Sequence, residues 1–322
     1  MSFNKQSSDL EAARAIPIVG VVERYGIQLK RQGREHIGLC PLHQEKTASF
    51  SVNADRGFYH CFGCGLHGDV IDFVQAIEGI EFREAVERLT GALGDSQTRE
   101  RLVRQAKTAR QEAVHRGSLE DARKAKKARD ILKASKLADS TYVATYLRSR
   151  YITRRIPPSI WFHPSLTHGP TGLRFPAMVA ALKDSNRQIV GIHRTYLLPD
   201  GSGKARVSSP KMALGRISGA AVRLATATEM IGLAEGIETA LSAMQLYGDP
   251  VWAACGSNMA GVIIPATVKR VVIYADNGEA GERAADKAAA EFYGQGRKVT
   301  IARPIEGYGD FNDYLQAQRR VA

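Results

Sequence analysis

Apolar positions change rhythm several times along the chain. Leu10, Ile16, Ile18, Val21 and Val22 recur at helical spacing and predict one helix ending near Tyr25-Gly26. Short strand-like pieces follow. Val70, Phe73, Val74 and Ile77 then predict a second helix that opens at Asp69 and stops at Gly79. A third helix over 82–89 packs with Val86, and 91–94 closes this first module. Over 99–136 the apolar face fades, returning at Ile131, Leu132, Leu137, Tyr142, Tyr146 and Leu147 until Pro157-Pro158 breaks the helix. Residues 177–182 and 189–198 read as strands joined by a turn at 183–186, and 199–203 as a flexible loop. From 230 strand and helix alternate: strands over 230–234, 251–254, 271–275 and 298–302, helices over 236–247 and 281–293. Alternation with apolar strands predicts a parallel sheet covered by helices.

The expected organisation is therefore a multidomain chain of α+β and α/β parts. A small zinc-ribbon-like module (1–95) precedes a basic helical linker (96–140), a mixed α+β subdomain (141–224) and a Rossmann-like parallel-sheet domain (225–322). Charge sharpens this picture. The chain of 322 residues carries 45 Lys and Arg against 33 Asp and Glu, a net charge of +12. Thirteen of those bases and five of the acids fall within 99–136, so a charged helical linker is expected there, with the tracking of a phosphate backbone as the alternative. A balance this basic favours a polyanionic partner, nucleic acid first. No apolar stretch approaches the ~20 residues of a membrane span, and the first residues lack the apolar core of a secretory signal. The expected location is the reducing cytoplasm, without membrane contact, where cysteines serve as ligands rather than disulfides.

Cys40-x-x-His43 is followed, after seventeen residues, by Cys61-x-x-Cys64. Two-residue spacing lets both members of a pair converge on one ion at a tight turn, and Gly63 and Gly65 supply the backbone freedom such a turn uses. Four donors with no open position suit structural Zn²⁺. His60 and His67 lie nearby, but the paired spacing favours His43. Around the ligands, Phe50, Phe58, Tyr59 and Phe62 offer faces for stacking bases, and Arg31, Lys46 and Arg56 offer cations for phosphates.

A second set of candidates is acidic. Glu235 follows the strand over 230–234 and opens a helix, Asp276 ends the strand over 271–275, and Asp310 and Asp313 lie in a late Gly-Asp-Phe-Asn-Asp run. Carboxylates at neighbouring strand ends make a cage for Mg²⁺ or Mn²⁺, hard cations that prefer oxygen.

The runs CPLHQEKTASFSV and GFYHCFGCGLHGDVIDFV resemble the zinc-binding domain of bacterial DnaG-type primases and their phage and plasmid relatives, over about residues 14–90. The acidic pattern resembles the Toprim domain that those primases share with topoisomerases and some nucleases, over about 229–315. The resemblance implies Glu235, Asp276 and Asp310 as the catalytic metal-binding acids, and Lys211–Arg216 resembles the region before Toprim in mobile-element primases. One position departs from the pattern: where relatives read Asp-x-Asp, this chain reads Asp276-Asn277-Gly278. Asn277, Glu279 and Asp313 are then the expected auxiliary donors.

The activity so implied is DNA-templated synthesis of short RNA primers from ribonucleoside triphosphates on single-stranded DNA. Arg194, Lys204, Arg206, Lys211 and Arg216 would line the route for template or nucleotide phosphates. No GxxxxGK[ST] motif is present, so a separate replicative helicase is the expected partner, and a plasmid, phage or integrated element the expected host. Two other readings remain open: an inert zinc-containing single-stranded-DNA-binding factor, and a Toprim nuclease.

Overall fold

The computed structural model describes residues 2–33, 35–91, 93, 96–256 and 259–320. These form two compact units, 1–118 and 119–322. The expected module end at Gly94 and the boundary at 95 lie outside the described residues.

The first unit opens with α1 (Ser2–Ala15) and α2 (Ile18–Arg24). One helix was expected there; Pro17, which has no N–H to donate, divides it and stands as the N-cap of α2. An antiparallel meander follows in spatial order: β1 (Lys30–Gln32), β2 (Glu35–Gly38), β3 (Phe50–Asn53), β4 (Phe58–Cys61) and β5 (His67–Gly68). Then come α3 (Val70–Glu78) and α4 (Phe82–Gly91). A reciprocal capping box starts α3: Asp69 accepts from the Ile71 and Asp72 N–H groups, while Asp72 accepts from the Asp69 N–H at 2.7 Å. Gly79, at φ 68°, ends it as the spacing required. Ile18, Val22, Phe50, Val52, Tyr59, Phe73 and Val74 form the core of this unit.

Helix α5 (Ser96–Lys133) is the expected basic helix, and the division into units falls inside it rather than at its ends. Its length is sustained by pairs at i,i+4, including Arg104–Glu100, Arg116–Glu112 and Lys126–Asp130. Exposed pairs of this kind contribute only about 0.3–0.5 kcal/mol each. Burial fixes the helix near its two ends instead. Arg99 reaches Asp9 at 2.7 Å within the first unit, and Ala128 and Leu132 pack beneath a sheet of the second.

That sheet has ten strands and unites the two segments expected as separate domains. After β6 (Lys136–Leu137) and α6 (Tyr142–Ser149) come β7 (Ile160–Thr167), β8 (Arg174–Lys183), β9 (Ile189–Tyr196), β10 (Lys211–Gly215) and β11 (Ala221–Arg223). All of these strands pair antiparallel. Strand β11 then joins β13 (Val251–Ala253) of a parallel core made with β12 (Met230–Ala234), β14 (Arg270–Tyr274) and β15 (Lys298–Ala302). The expected parallel sheet is thus the end of a larger mixed one. Helices α7 (Ile237–Tyr247) and α9 (Phe311–Arg320) share one cluster with Ala234 and Tyr274. Helix α8 (Glu279–Gly294) packs in another with Ile231, Leu233 and Ile273. Alternate residues of each strand therefore feed opposite faces, the arrangement that places strand ends at an open crevice.

Candidate metal centres and nucleic-acid interface

The four paired ligands of the first unit come together. Cys40 follows β2, His43 sits in the turn beyond it, Cys61 ends β4, and Cys64 lies in the β4–β5 turn. Their donor atoms all lie within 4.8 Å of one another, the only such group of three or more His, Cys, Asp or Glu donors among the described residues. The soft donor set fits tetrahedral Zn²⁺. The protonation balance fits it too. Burial and the neighbouring thiolates push the Cys40 thiol up to about 12. Burial also works against ionising Cys61, but the Ser49 hydroxyl and the Cys64 and Gly63 N–H groups outweigh it and hold that thiol near 7.

Glu45 is a part of this site that sequence reading missed. Its Oε1 accepts from the Cys40 N–H at 2.7 Å and the Ser49 N–H at 3.1 Å, while Oε2 lies 3.3 Å from His43 Nε2. His43 Nδ1 faces Cys61 Sγ at 3.7 Å. One ring nitrogen is thereby directed to the ligand cluster and the other to a carboxylate, the relay that fixes a metal-binding imidazole. Gly63 is required by close approach: a Cβ there would meet His43 Nε2 at 2.5 Å. His60 and His67 do not join the cluster.

Around this centre the expected aromatic faces separate. Tyr59 is 1% exposed and packs against Phe50 and Phe73, so it is a core residue and not a stacking face. Phe50 is buried with it. Because side chains alternate along β4, Phe58, His60 and Phe62 share the outer face. Phe58 is 38% and Phe62 75% exposed. His60 meets Phe62 edge-on at 4.5 Å, and His67 meets Phe58 at 6.0 Å. Arg31, Lys46 and Arg56 are exposed on the same unit.

The acidic site lies where parallel strands end. Glu235 leaves β12, and its carbonyl accepts from the Cys255 N–H at 2.8 Å. The adjacent β14 ends just before Asp276. Asn277 secures the third acid: its N–H donates to the Gly309 carbonyl at 2.8 Å and its amide to the Tyr308 carbonyl at 2.8 Å, holding the loop that carries Asp310. Its amide nitrogen therefore clamps a loop. Asp310 caps α9, its Oδ1 accepting from the Asn312 and Asp313 N–H groups at 2.8 Å each. Burial, then the charges of Asp310 and Glu235, push Asp276 up to about 6; Lys211 and the Thr239 hydroxyl oppose them. The three carboxylates thus feel one another without closing as tightly as the cysteine set. That openness suits a hard dication, which keeps several waters.

Two expected auxiliaries point elsewhere. Glu279 opens α8 exposed and pairs with Arg283 at 3.1 Å, and Asp313 faces Arg150 at 3.8 Å. Gly278 adopts φ 102° and ψ 157°, a region almost confined to glycine, so positions 276 and 278 do not share one extended face. Gly278→Asp is expected to destabilise the second unit by about 1–3 kcal/mol through backbone strain. A thermal melt checks this, and an unchanged midpoint would refute it.

The expected phosphate-binding bases also sort apart. Arg194 is half-buried and donates to the Ala213 carbonyl and the Tyr196 hydroxyl, which makes it a brace of the sheet rather than a phosphate contact. Arg216 pairs with Asp184. Arg206 is exposed. Lys204 and Lys211 converge on Glu238, a buried acid to which the sequence reading gave no role. Burial works against its charge, but the two ammonium groups and the Tyr146 hydroxyl more than compensate and hold its carboxyl down at about 2.

Residues 5–105 match the CHC2 zinc finger family, 122–224 a domain family of unknown function, and 230–320 the Toprim domain. The chain therefore carries a CHC2-like zinc finger, whose Cys3His cluster suits structural zinc, and a Toprim-like segment, which implies a divalent metal. Part of the chain is similar to bacterial DNA primases. A stretch of 79 residues is 53% identical to the DNA primase of Halalkalibacterium halodurans, covering 24% of this chain and 13% of that one. One of 81 residues is 52% identical to the DNA primase of Geobacillus stearothermophilus, covering 25% and 13%. The matched region is thus only about an eighth of the length of these curated relatives. Among solved structures, the zinc-binding and RNA polymerase domains of the Aquifex aeolicus primase match 98% of this chain and 84% of theirs, at 20% identity and a TM-score of 0.37.

Proposed function

We propose that the chain is a primase that joins ribonucleotides into short RNA primers on a single-stranded DNA template. The observation that carries this reading is the crowding of Asp276 by Asp310 and Glu235 at the ends of adjacent parallel strands, in a chain that also bears a zinc module. Mg²⁺ or Mn²⁺ bound there supplies Lewis acidity to the reacting phosphate and the primer hydroxyl. The chain's own residues do the rest. Glu235, Asp276 and Asp310 hold the negative field that gathers the dication. Asn277 fixes the loop bearing Asp310. Lys204, Lys211 and Arg206 meet triphosphate or template phosphates.

In this reading the outer face of β4 and β5 stacks template bases on Phe58, His60, Phe62 and His67, while Lys46 and Arg56 meet the backbone. A separate replicative helicase delivers the template. Among the described residues no helix is long and apolar enough to cross a membrane.

Primer synthesis on a panel of single-stranded templates, with labelled ribonucleotides and Mg²⁺ or Mn²⁺, is the test. Short RNA products that depend on template and dication are expected. A chain that binds DNA and makes no product with either metal would overturn the proposal in favour of an inert DNA-binding factor. The outward turn of Glu279 and the glycine at 278 favour that second reading. Nicking of circular DNA would instead indicate a nuclease.

A further inference from the structure

Glu238 lies three residues beyond Glu235, on the first turn of α7, and is 3% exposed. Three separate pieces of chain converge on it. Its Oε1 accepts from the Tyr146 hydroxyl of α6 at 2.7 Å and lies 3.8 Å from Lys204 Nζ in the loop after β9. Its Oε2 accepts from Lys211 Nζ at the start of β10, at 3.1 Å. A buried ion pair is rarely the most stable way to fill such a space, since apolar side chains of similar volume often do as well or better. Its retention here calls for another account.

The neighbourhood supplies one. Lys211 is in register with Thr195, so the two side chains share a face of the sheet with His193. Thr195 Oγ1 and His193 Nδ1 are buried there, without hydrogen-bond partners among the described residues. The face therefore holds polar groups beyond those that the pair itself satisfies. It also borders the acidic site: the Lys211 charge acts on Asp276, and the Asp310 charge acts on Lys211. Both lysine side chains remain about one-third exposed, so their ammonium groups stay within reach of a ligand.

We propose that Glu238 is a positioning residue that holds Lys204 and Lys211 side by side at the rim of the acidic site, where both meet the phosphates of the incoming nucleoside triphosphate. One carboxylate between two ammonium groups fixes their spacing and leaves one net positive charge. Without it, the two cations repel each other and swing towards water. The inference rests on the primase reading for its ligand, and it assigns the buried acid no contact with substrate.

The test uses the full chain with Glu238→Gln and Glu238→Asp, followed by nucleotide titrations of primer synthesis and direct binding of Mg·ATP. For Glu238→Gln the KM for nucleotide is expected to rise about tenfold while kcat changes less than about threefold, with Glu238→Asp recovering most of the loss. An unchanged KM in folded E238Q, or no recovery in E238D, would overturn the inference and leave the primase reading intact. If E238Q does not fold, Tyr146→Phe takes its place. That change removes one bond to Oε1, and an unaltered KM would be equally damaging. Should wild type bind Mg·ATP but make no primer, the primase reading fails. The Kd for Mg·ATP then decides the inference: about tenfold weaker binding in E238Q supports it, and equal binding overturns it.

Discussion

Cys61→Ser is expected to unfold the first unit while leaving the second one folded. Cys61 is fully buried, at the end of β4 and in the same apolar cluster as Phe50, Tyr59 and Phe73. The unit around it is small, with five short strands and a modest core. A module of that size buries too little apolar surface to be secure by itself, and structural zinc supplies about 10 kcal/mol or more of folding free energy in modules of this kind. Domain stabilities are themselves about 5–15 kcal/mol, so losing one ligand removes most of the margin. Hydrogen exchange is the measurement. In C61S, or after chelation of the wild type, amides of α3 and β3 should lose protection while those of β8, β12 and α7 keep theirs. Retained protection at Phe50 and Phe73 without metal would show that the core holds itself.

Much of this arrangement was readable from the chain, and the reasons differ from element to element. Strands β12 and β14 are short, largely apolar runs, each followed within five residues by its helix, so the pattern leaves few alternatives. The zinc ligands announce themselves because all four lie in two local pairs. Strands β7 and β10 were not legible. β7 contains Pro164 and changes register between His163 and Leu166, and β10 is only half-buried at the edge of the sheet.

The error at Tyr59 was avoidable. Cys61 must face inward to reach the metal, and a strand of period two then sends Tyr59 inward and Phe58, His60 and Phe62 outward. Glu45 and Glu238 are a different case. Glu45 bonds only residues within five positions of it, but as a carboxylate it does not resemble the ligands it braces; Glu238 depends on partners 27 to 92 positions away, brought to it by tertiary folding. No local pattern announces such a partner. Asn277 offers an oxygen donor in the sequence, yet the contact seen is made by its amide nitrogen, to a loop that closes from 31 residues downstream.

Asp276→Asn is expected to abolish primer synthesis and, in magnesium-free buffer, to stabilise the second unit. The two effects have one cause. In the folded chain burial and the charges of Asp310 and Glu235 raise the Asp276 carboxyl from its ordinary 3.8 to about 6. Between those values the folded state binds more protons than the unfolded one, so wild-type stability falls as pH rises from about 4 to about 6 and stays low at neutrality. A neutral amide of the same shape removes that repulsion. Allowing for the partial exposure of the site, the gain at neutral pH is about 1–2 kcal/mol. The same substitution takes a hard oxygen anion from the dication that chemistry needs, and synthesis should fall about 10²–10³-fold, the scale of losing one electrostatic element from a preorganised site. Under the proposed reading DNA is held by the zinc unit and the basic surface, so DNA binding should be unchanged. Thermal melts at pH 4.5 and 7 beside primer assays test both arms. Lost synthesis with a melting midpoint raised more at pH 7 than at pH 4.5 is the expected pair. Activity within about threefold of wild type would remove Asp276 from the reacting centre, and a lowered midpoint at neutral pH would mean that its carboxylate is a structural hydrogen-bonding group instead.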